Sequence, residues 1–233
     1  MNYHITLDID WAPDLVISHC LEILKEKRIK ATFFATHKTD LLKEIQKDGH
    51  EIGIHPNFAK NSSHGNGTEK VIEYCLKIVP DAKLIRTHGL IQSTKLITKI
   101  FKEFPQLKID ISTFTYHFPT VNFFKLKYEG LIIKRLNYNW EDDAEFENKS
   151  FNWNKSNLFG KFNILNFHPI HILLNSQSAM HYNNLLRELN NKKLYLAKKK
   201  TLEKHINSKK GTKDFLYTMI SSNNKSIKLR DIK

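Results

Sequence analysis

HITLDIDWAPDLVISHCLEIL, His4 to Leu24, carries the reading that decides the fold. Its first half alternates β-formers and ends in two acids, Asp8 and Asp10, as a strand running into a functional loop would. Pro13 then suits the opening of a helix. Leu15, Val16, Cys20, Leu21 and Leu24 follow at helical spacing. One strand, one polar strand end and one amphipathic helix make a βα unit.

The same unit recurs along the chain. ATFFAT from Ala31, EIGIH from Glu51, KLIRTH from Lys83, LKIDIST from Leu107, LIIKRLNYN from Leu131 and FNILNFHPI from Phe162 read as further strands. Between them lie helical patterns at Leu41–Lys47, from Thr68 as cap to Val79, and from Ser93 as cap to Phe104. Two more fall around Met180–Leu189 and Thr212–Ile220. Seven strands in βα alternation predict a distorted barrel of seven βα units, with parallel strands inside and helices outside. The expected organisation is one domain over 1–233, of which 176–233 forms a basic, helical C-terminal part.

Composition excludes several classes. The 233 residues are 40% hydrophobic, enough for a sizeable core. Two cysteines, Cys20 and Cys75, cannot build a disulfide framework and read as reduced thiols in helices. No apolar run reaches the roughly 18 residues of a membrane span. The opening MNYHITLDIDW lacks the pattern of a signal peptide, so a cytoplasmic protein is expected. The net charge of +13 is uneven. From Lys192 to Lys233 there are 13 Lys/Arg against Glu203, Asp214 and Asp231. Such a segment suits a diphosphate-bearing substrate or the anionic face of a membrane. With no recognition motif in view, nucleic acid is not an expected partner.

The polar residues gather at strand ends, where parallel α/β folds place their active sites. Asp8 and Asp10 stand two apart, so on a strand both point to one face. Two such carboxylates repel unless a cation or a proton lies between them. His55 closes the third strand and His64 follows in the turn-rich loop PNFAKNSSHGNG. Two histidines and an aspartate suit a divalent transition metal with positions left open. Arg86, among apolar neighbours, needs a carboxylate, and Asp8 is available. His168, at the end of a buried strand, has the near-neutral pKa of a general acid.

The ordered set LDIDW, ATFFAT, HEIGIHPNF, IRTHGL, NYNWEDD and NFHPIH resembles the polysaccharide deacetylases of carbohydrate esterase family 4, from residue 6 to about 171. The resemblance implies a distorted (β/α) barrel of that family's type and removal of acetyl groups from sugars with one divalent metal, most often zinc. It implies Asp8 as catalytic base, Asp10 and His55 as metal ligands, and Arg86 as the group orienting the base. Trp140 with Asp142 or Asp143 would support the site wall and the catalytic histidine, and His168 would protonate the leaving amine.

The pattern departs from the family's in three places. Ile9 separates the two aspartates, which usually adjoin. Ala59 stands where the second histidine is expected, so His64 becomes the candidate third ligand, with Asn57 as fallback. His88 replaces a proline and is expected to line the substrate site with Trp140, Asp142 and Asn57. The resulting expectation is a metal-dependent hydrolase removing an N-acetyl group from a nucleotide- or lipid-linked sugar on the way to a surface polysaccharide. The alternatives are an inactive, sugar-binding relative and a C–N hydrolase acting on a small non-sugar amide.

Overall fold

A computed structural model describes residues 2–149, 151–153, 162–190, 192–220 and 229. The remainder of the basic C-terminal segment lies outside the described residues. The strands are β1 (Asn2–Asp8), β2 (Ala31–Ala35), β3 (Glu51–Ile54), β4 (Leu84–Ile85), β5 (Ile109–Phe114), β6 (Phe123–Tyr128), β7 (Leu131–Tyr138), β8 (Trp140–Glu141) and β9 (Phe162–Phe167). They form one sheet in the order β6-β7-β5-β4-β3-β2-β1-β9-β8. Every pairing is parallel except β6 with β7. Continuous burial along β2 and β3 fits strands covered on both faces.

The sheet curls until its two ends meet through consecutive residues. β7 pairs with β5, and its continuation β8 pairs with β9, Trp140 opposite Leu165. Asn139 joins the two. Its backbone N–H donates to the Ile164 carbonyl at 3.2 Å. Its side chain accepts from Ile164 N–H at 3.1 Å and donates to Asn163 Oδ1 at 2.8 Å. The result is the curled (β/α) barrel expected from the sequence, with two strands more than expected.

One of these is β6, whose hairpin with β7 turns through Glu129 (φ 47°) and Gly130 (φ 75°). Two left-handed residues in a two-residue turn match the twist of the flanking strands. The other is β8, too short to show a period.

Helices cover the sheet: α1 (Asp14–Glu26), α2 (Leu41–Lys47), α3 (Thr68–Ile78), α4 (Thr94–Glu103), α5 (Pro169–Leu174), α6 (Ala179–Leu189), α7 (Lys199–Glu203) and α8 (Thr212–Ile220). Ser93 caps α4, accepting from Leu96 N–H at 3.1 Å. Thr68 does not cap α3 as expected: Gly67, at φ 85°, holds that position and Thr68 begins the helix. The expected strand through Ile170 stops at Phe167, because Pro169 occupies the first turn of α5 and its fixed φ favours the helix. Cys20 and Cys75 are free and buried. Among the described residues no helix is long and apolar enough to cross a membrane.

Candidate active site

All the parallel strands point one way, so their C-terminal ends share a rim. Asp8 ends β1, His55 follows β3, Arg86 follows β4, and His168 follows β9. Asp10 reaches the same place by a different route from the one expected. The strand stops at Asp8, and Asp10 and Trp11 both adopt left-handed backbone, φ 35° and 55°. Two such non-glycine residues in sequence store strain, which tends to collect at functional sites. The turn is held by Ala12 N–H donating to the Ile9 carbonyl at 2.7 Å and Trp11 N–H donating to Thr36 Oγ1 at 3.1 Å.

Asp8 is 2% exposed and closely held. Arg86 Nη1 donates to Asp8 Oδ1 at 3.0 Å, to Thr6 Oγ1 at 3.0 Å and to Asn166 Oδ1 at 2.5 Å. Asn166 Nδ2 donates to Asp8 Oδ2 at 2.9 Å and to Glu141 Oε1 at 2.9 Å. The guanidinium lies between the rings of Phe34 and Tyr138, at 4.4 and 4.3 Å. Gly53 makes room for this stack: a Cβ there would stand 2.7 Å from the Phe34 ring.

Three possible ligands meet beside Asp8. Asp10 Oδ1 lies 3.4 Å from His55 Nε2 and 3.4 Å from His88 Nδ1. The two imidazole nitrogens are 3.4 Å apart. Asp10 Oδ1 is buried with no hydrogen-bond partner among the described residues. His55 Nδ1–H donates to the Arg86 carbonyl at 2.7 Å, which leaves the Nε2 lone pair facing the cluster. Burial, the largest influence, pulls His55 below its ordinary pKa and keeps it neutral. A carboxylate oxygen without a partner and two converging imidazoles fit a divalent transition metal.

Two other groups of possible ligands occur among the described residues: Asp8, Glu141 and His168, and Asp142, Asp143 and His168. Their oxygens already accept within the protein, since Asn166 donates to both Asp8 and Glu141. Burial, with help from the Asp143 charge, pushes Glu141 up to about 8, so it carries a proton near neutrality. In the other group Asp142 already accepts the backbone N–H and the Nδ1–H of His168.

His64 stands elsewhere. Its Nδ1 accepts from Asn57 N–H at 3.0 Å and its ring stacks on Tyr74 at 4.8 Å. The Trp11 ring contacts both it and His88, with centres 5.4 Å from the one and 5.2 Å from the other. The expected third ligand is not among the ligand atoms that meet beside Asp10. Asn57 turns its side-chain oxygen to Ala59 N–H, at 2.9 Å, within the loop. His88, expected to line the substrate site, lines the cavity there and also stands beside Asp10 and His55.

His168 faces the cluster from the other side. Its Nε2 is 3.5 Å from Asp10 Oδ2. Its Nδ1–H donates to Asp142 Oδ1 at 2.7 Å and its backbone N–H to Asp142 Oδ2 at 2.8 Å. Burial opposes a charged imidazole here, but the Asp142 and Asp143 carboxylates outweigh it and hold His168 well above its ordinary pKa. Asp142 and Trp140 are both 0% exposed, so neither offers surface to a substrate. Trp140 packs on Phe167 and Phe215, with ring centres 4.9 and 4.6 Å away.

Sequence reasoning missed Asn166, Glu141 and Tyr138. A buried asparagine in LNFH was a usable signal, because a buried amide is costly without partners. The cavity over the site, about 250 Å³, is lined by Asp8, His55, His88, Tyr138, Glu141 and His168 among others.

The chain matches the WbmS-like polysaccharide deacetylase family over residues 5–186. Among solved structures it is similar to a Bordetella bronchiseptica protein assigned as a polysaccharide deacetylase involved in O-antigen biosynthesis. That likeness has a TM-score of 0.78 and 26% identity, covering 94% of this chain and 89% of that one. It is also similar to the polysaccharide deacetylase Bc1974 from Bacillus cereus (TM-score 0.45, 19% identity, 85% and 93% covered). A family 4 acetyl xylan esterase from Clostridium thermocellum, in complex with cobalt, has a TM-score of 0.41 and 17% identity, with 72% and 74% covered. No curated protein matches. With the family match spanning well over half of its length, the chain belongs to the WbmS-like polysaccharide deacetylases.

Proposed function

We propose that this protein is a metal-dependent N-deacetylase acting on an acetamido sugar. The observation that carries the reading is the trio Asp10, His55 and His88, flanked by an oriented carboxylate, Asp8, and an imidazole, His168, held by Asp142. When bound there, a divalent ion, zinc by the donor set, would supply Lewis acidity toward a carbonyl oxygen and make nearby water more acidic. The chain's own groups do the rest. Asp8 takes the proton of the attacking water on Oδ2, while Oδ1 stays committed to Arg86. Water oxygen adds to the acetyl carbon and the C–N bond breaks. His168 Nε2–H gives its proton to the departing nitrogen, without which an amine leaves poorly. Acetate and a free amino sugar result.

The inactive alternative leaned on the absence of a histidine at Ala59, and His88 supplies a second imidazole in its place. The Bordetella bronchiseptica relative, assigned to O-antigen biosynthesis, supports a sugar substrate on the way to a surface polysaccharide. To this we add the proposal of a nucleotide- or lipid-linked form handled in the cytoplasm.

Elemental analysis of the purified protein tests the metal assignment. We expect near-stoichiometric divalent metal in the wild type and in His64→Ala, and a sharp loss in His88→Ala. Retention in His88→Ala with loss in His64→Ala would replace this trio by the one expected from the sequence. Release of acetate from N-acetylated sugars, measured on the metal-loaded protein, tests the activity itself.

Asp142→Asn tests the acid. The carboxylate that raises His168 is then gone, so the imidazolium loses its proton at lower pH. The basic limb of the kcat/KM profile is expected to move toward acid. An unmoved limb would remove Asp142 from that role.

A further inference from the structure

A second and larger cavity opens from the catalytic one. It holds about 670 Å³, within the range of pockets that enclose whole small molecules. It reaches the site through Asp10 and Trp11, and its far walls carry Lys38, Lys193, Tyr74 and Tyr195. Tyr182 lines it too, and also lines a third cavity, of about 330 Å³, that holds His88 and His168. The catalytic groups thus sit where three recesses join.

The recesses differ in charge. The third one carries the carboxylates of Asp143 and Glu147. The large one carries two lysines and, apart from Asp10 at its mouth, no carboxylate among the described residues. Neither lysine has a carboxylate within ion-pair distance among the described residues. Both are exposed, and Lys193 Nζ stands 5.7 Å from the centre of the Tyr195 ring. Tyr195 in turn stacks on His37, with 6.4 Å between centres and 21° between planes. The three-residue helical turn Leu194–Leu196 that carries Tyr195 is anchored by buried Leu194. Aromatic faces suit a sugar ring or a base, and unpaired ammonium groups suit phosphate oxygens.

We infer that the large cavity binds a diphosphate joined to the acetamido sugar, with Lys38 and Lys193 holding the phosphates and Tyr195 and Trp11 packing on the group attached to them. The acetyl end then lies at Asp10, and the amine produced faces the carboxylate-bearing recess. The placing of the acetyl end rests on the deacetylase reading; the diphosphate site does not. The diphosphate can come from a nucleotide sugar or from a polyprenyl-linked sugar, and the test separates the two.

The experiment is calorimetric titration of the full chain with inorganic pyrophosphate, uridine diphosphate, uridine and farnesyl diphosphate. Wild type is expected to bind the diphosphates and not uridine. Lys38→Ala and Lys193→Ala should each weaken diphosphate binding by roughly tenfold, since a hydrogen bond from a charged donor is worth about that factor. Both lysines are exposed, so these variants are expected to fold. Uridine diphosphate tighter than pyrophosphate, with the gain lost in Tyr195→Ala, assigns a nucleotide carrier. Farnesyl diphosphate tighter than both assigns a lipid carrier. Diphosphates that bind no better than uridine, or equally well to the Lys38→Ala/Lys193→Ala double variant, overturn the site. Asp8→Asn keeps the two proposals apart: it should lose turnover and keep diphosphate affinity. If wild type binds diphosphates but releases no acetate from any acetamido sugar, the deacetylase reading fails and the diphosphate site stands.

Discussion

Asp8→Asn is expected to lower kcat/KM for an N-acetylated sugar by about 10²–10⁴-fold, the range of general base catalysis, while bound metal stays at the wild-type level. The amide matches the carboxylate in shape but cannot take up the proton. The surroundings add a second effect. Asp8 Oδ1 accepts from Arg86 and Oδ2 accepts from Asn166. Both neighbours are donors, so any placement of the new NH₂ group faces one of them. Asn166 cannot turn to help, because its own oxygen already accepts from Arg86 and from Thr6 Oγ1. A small loss of stability, about 1–3 kcal/mol for a mismatched buried bond, should accompany the kinetic loss. Steady-state kinetics with elemental analysis on the same preparation reads both. Wild-type turnover with metal in place would take the base role from Asp8.

The second large effect is on folding. Arg86 is 0% exposed and stands against a carboxylate that is itself almost wholly buried. Removing it in Arg86→Ala leaves Asp8 buried without its cation, which costs about 3–5 kcal/mol. For a chain of this length that corresponds to a fall in Tm on the order of 10 °C. Arg86→Lys is expected to recover little. An ammonium cannot reach Asp8, Thr6 and Asn166 while lying flat between Phe34 and Tyr138. Scanning calorimetry would settle it: a fall of only a degree or two in Arg86→Ala would mean that other groups neutralise Asp8. The two variants separate cleanly, since Asp8→Asn attacks turnover first and Arg86→Ala attacks stability first.

The sequence carried the barrel because period is a local property. Alternating runs such as HITLD and FNILNF mark strands without knowledge of their partners, and the polar residues that close them were visible for the same reason. What stayed hidden depends on backbone turns and on distance. Asp10 looked like a strand residue sharing a face with Asp8; a pair of left-handed residues brings it to the cluster instead. His88 rather than His64 meets Asp10 and His55, and nothing in the spacing of those histidines announces it. Asn166 and Glu141 belong to a network whose members are far apart in the chain, so neither declares its partner. The β6–β7 hairpin was legible in principle, since Glu129-Gly130 sits between two runs of β-formers, but lysines in FFKLKY weakened its pattern.

The seam at Asn139 has a consequence for how such a site can change. Five consecutive residues, Tyr138 to Asp142, close the barrel and also hold the residues of the candidate site. Tyr138 stacks on Arg86, Glu141 accepts from Asn166, and Asp142 holds His168. The girth of the barrel and the gap between Asp8 and His168 are therefore one variable. Inserting or deleting a residue there would move a strand by about 3.3 Å, shifting the surroundings of Asp8 and of His168 at once. Diversification toward new substrates is left to the open recesses around the rim, where a side chain can change without altering the circumference.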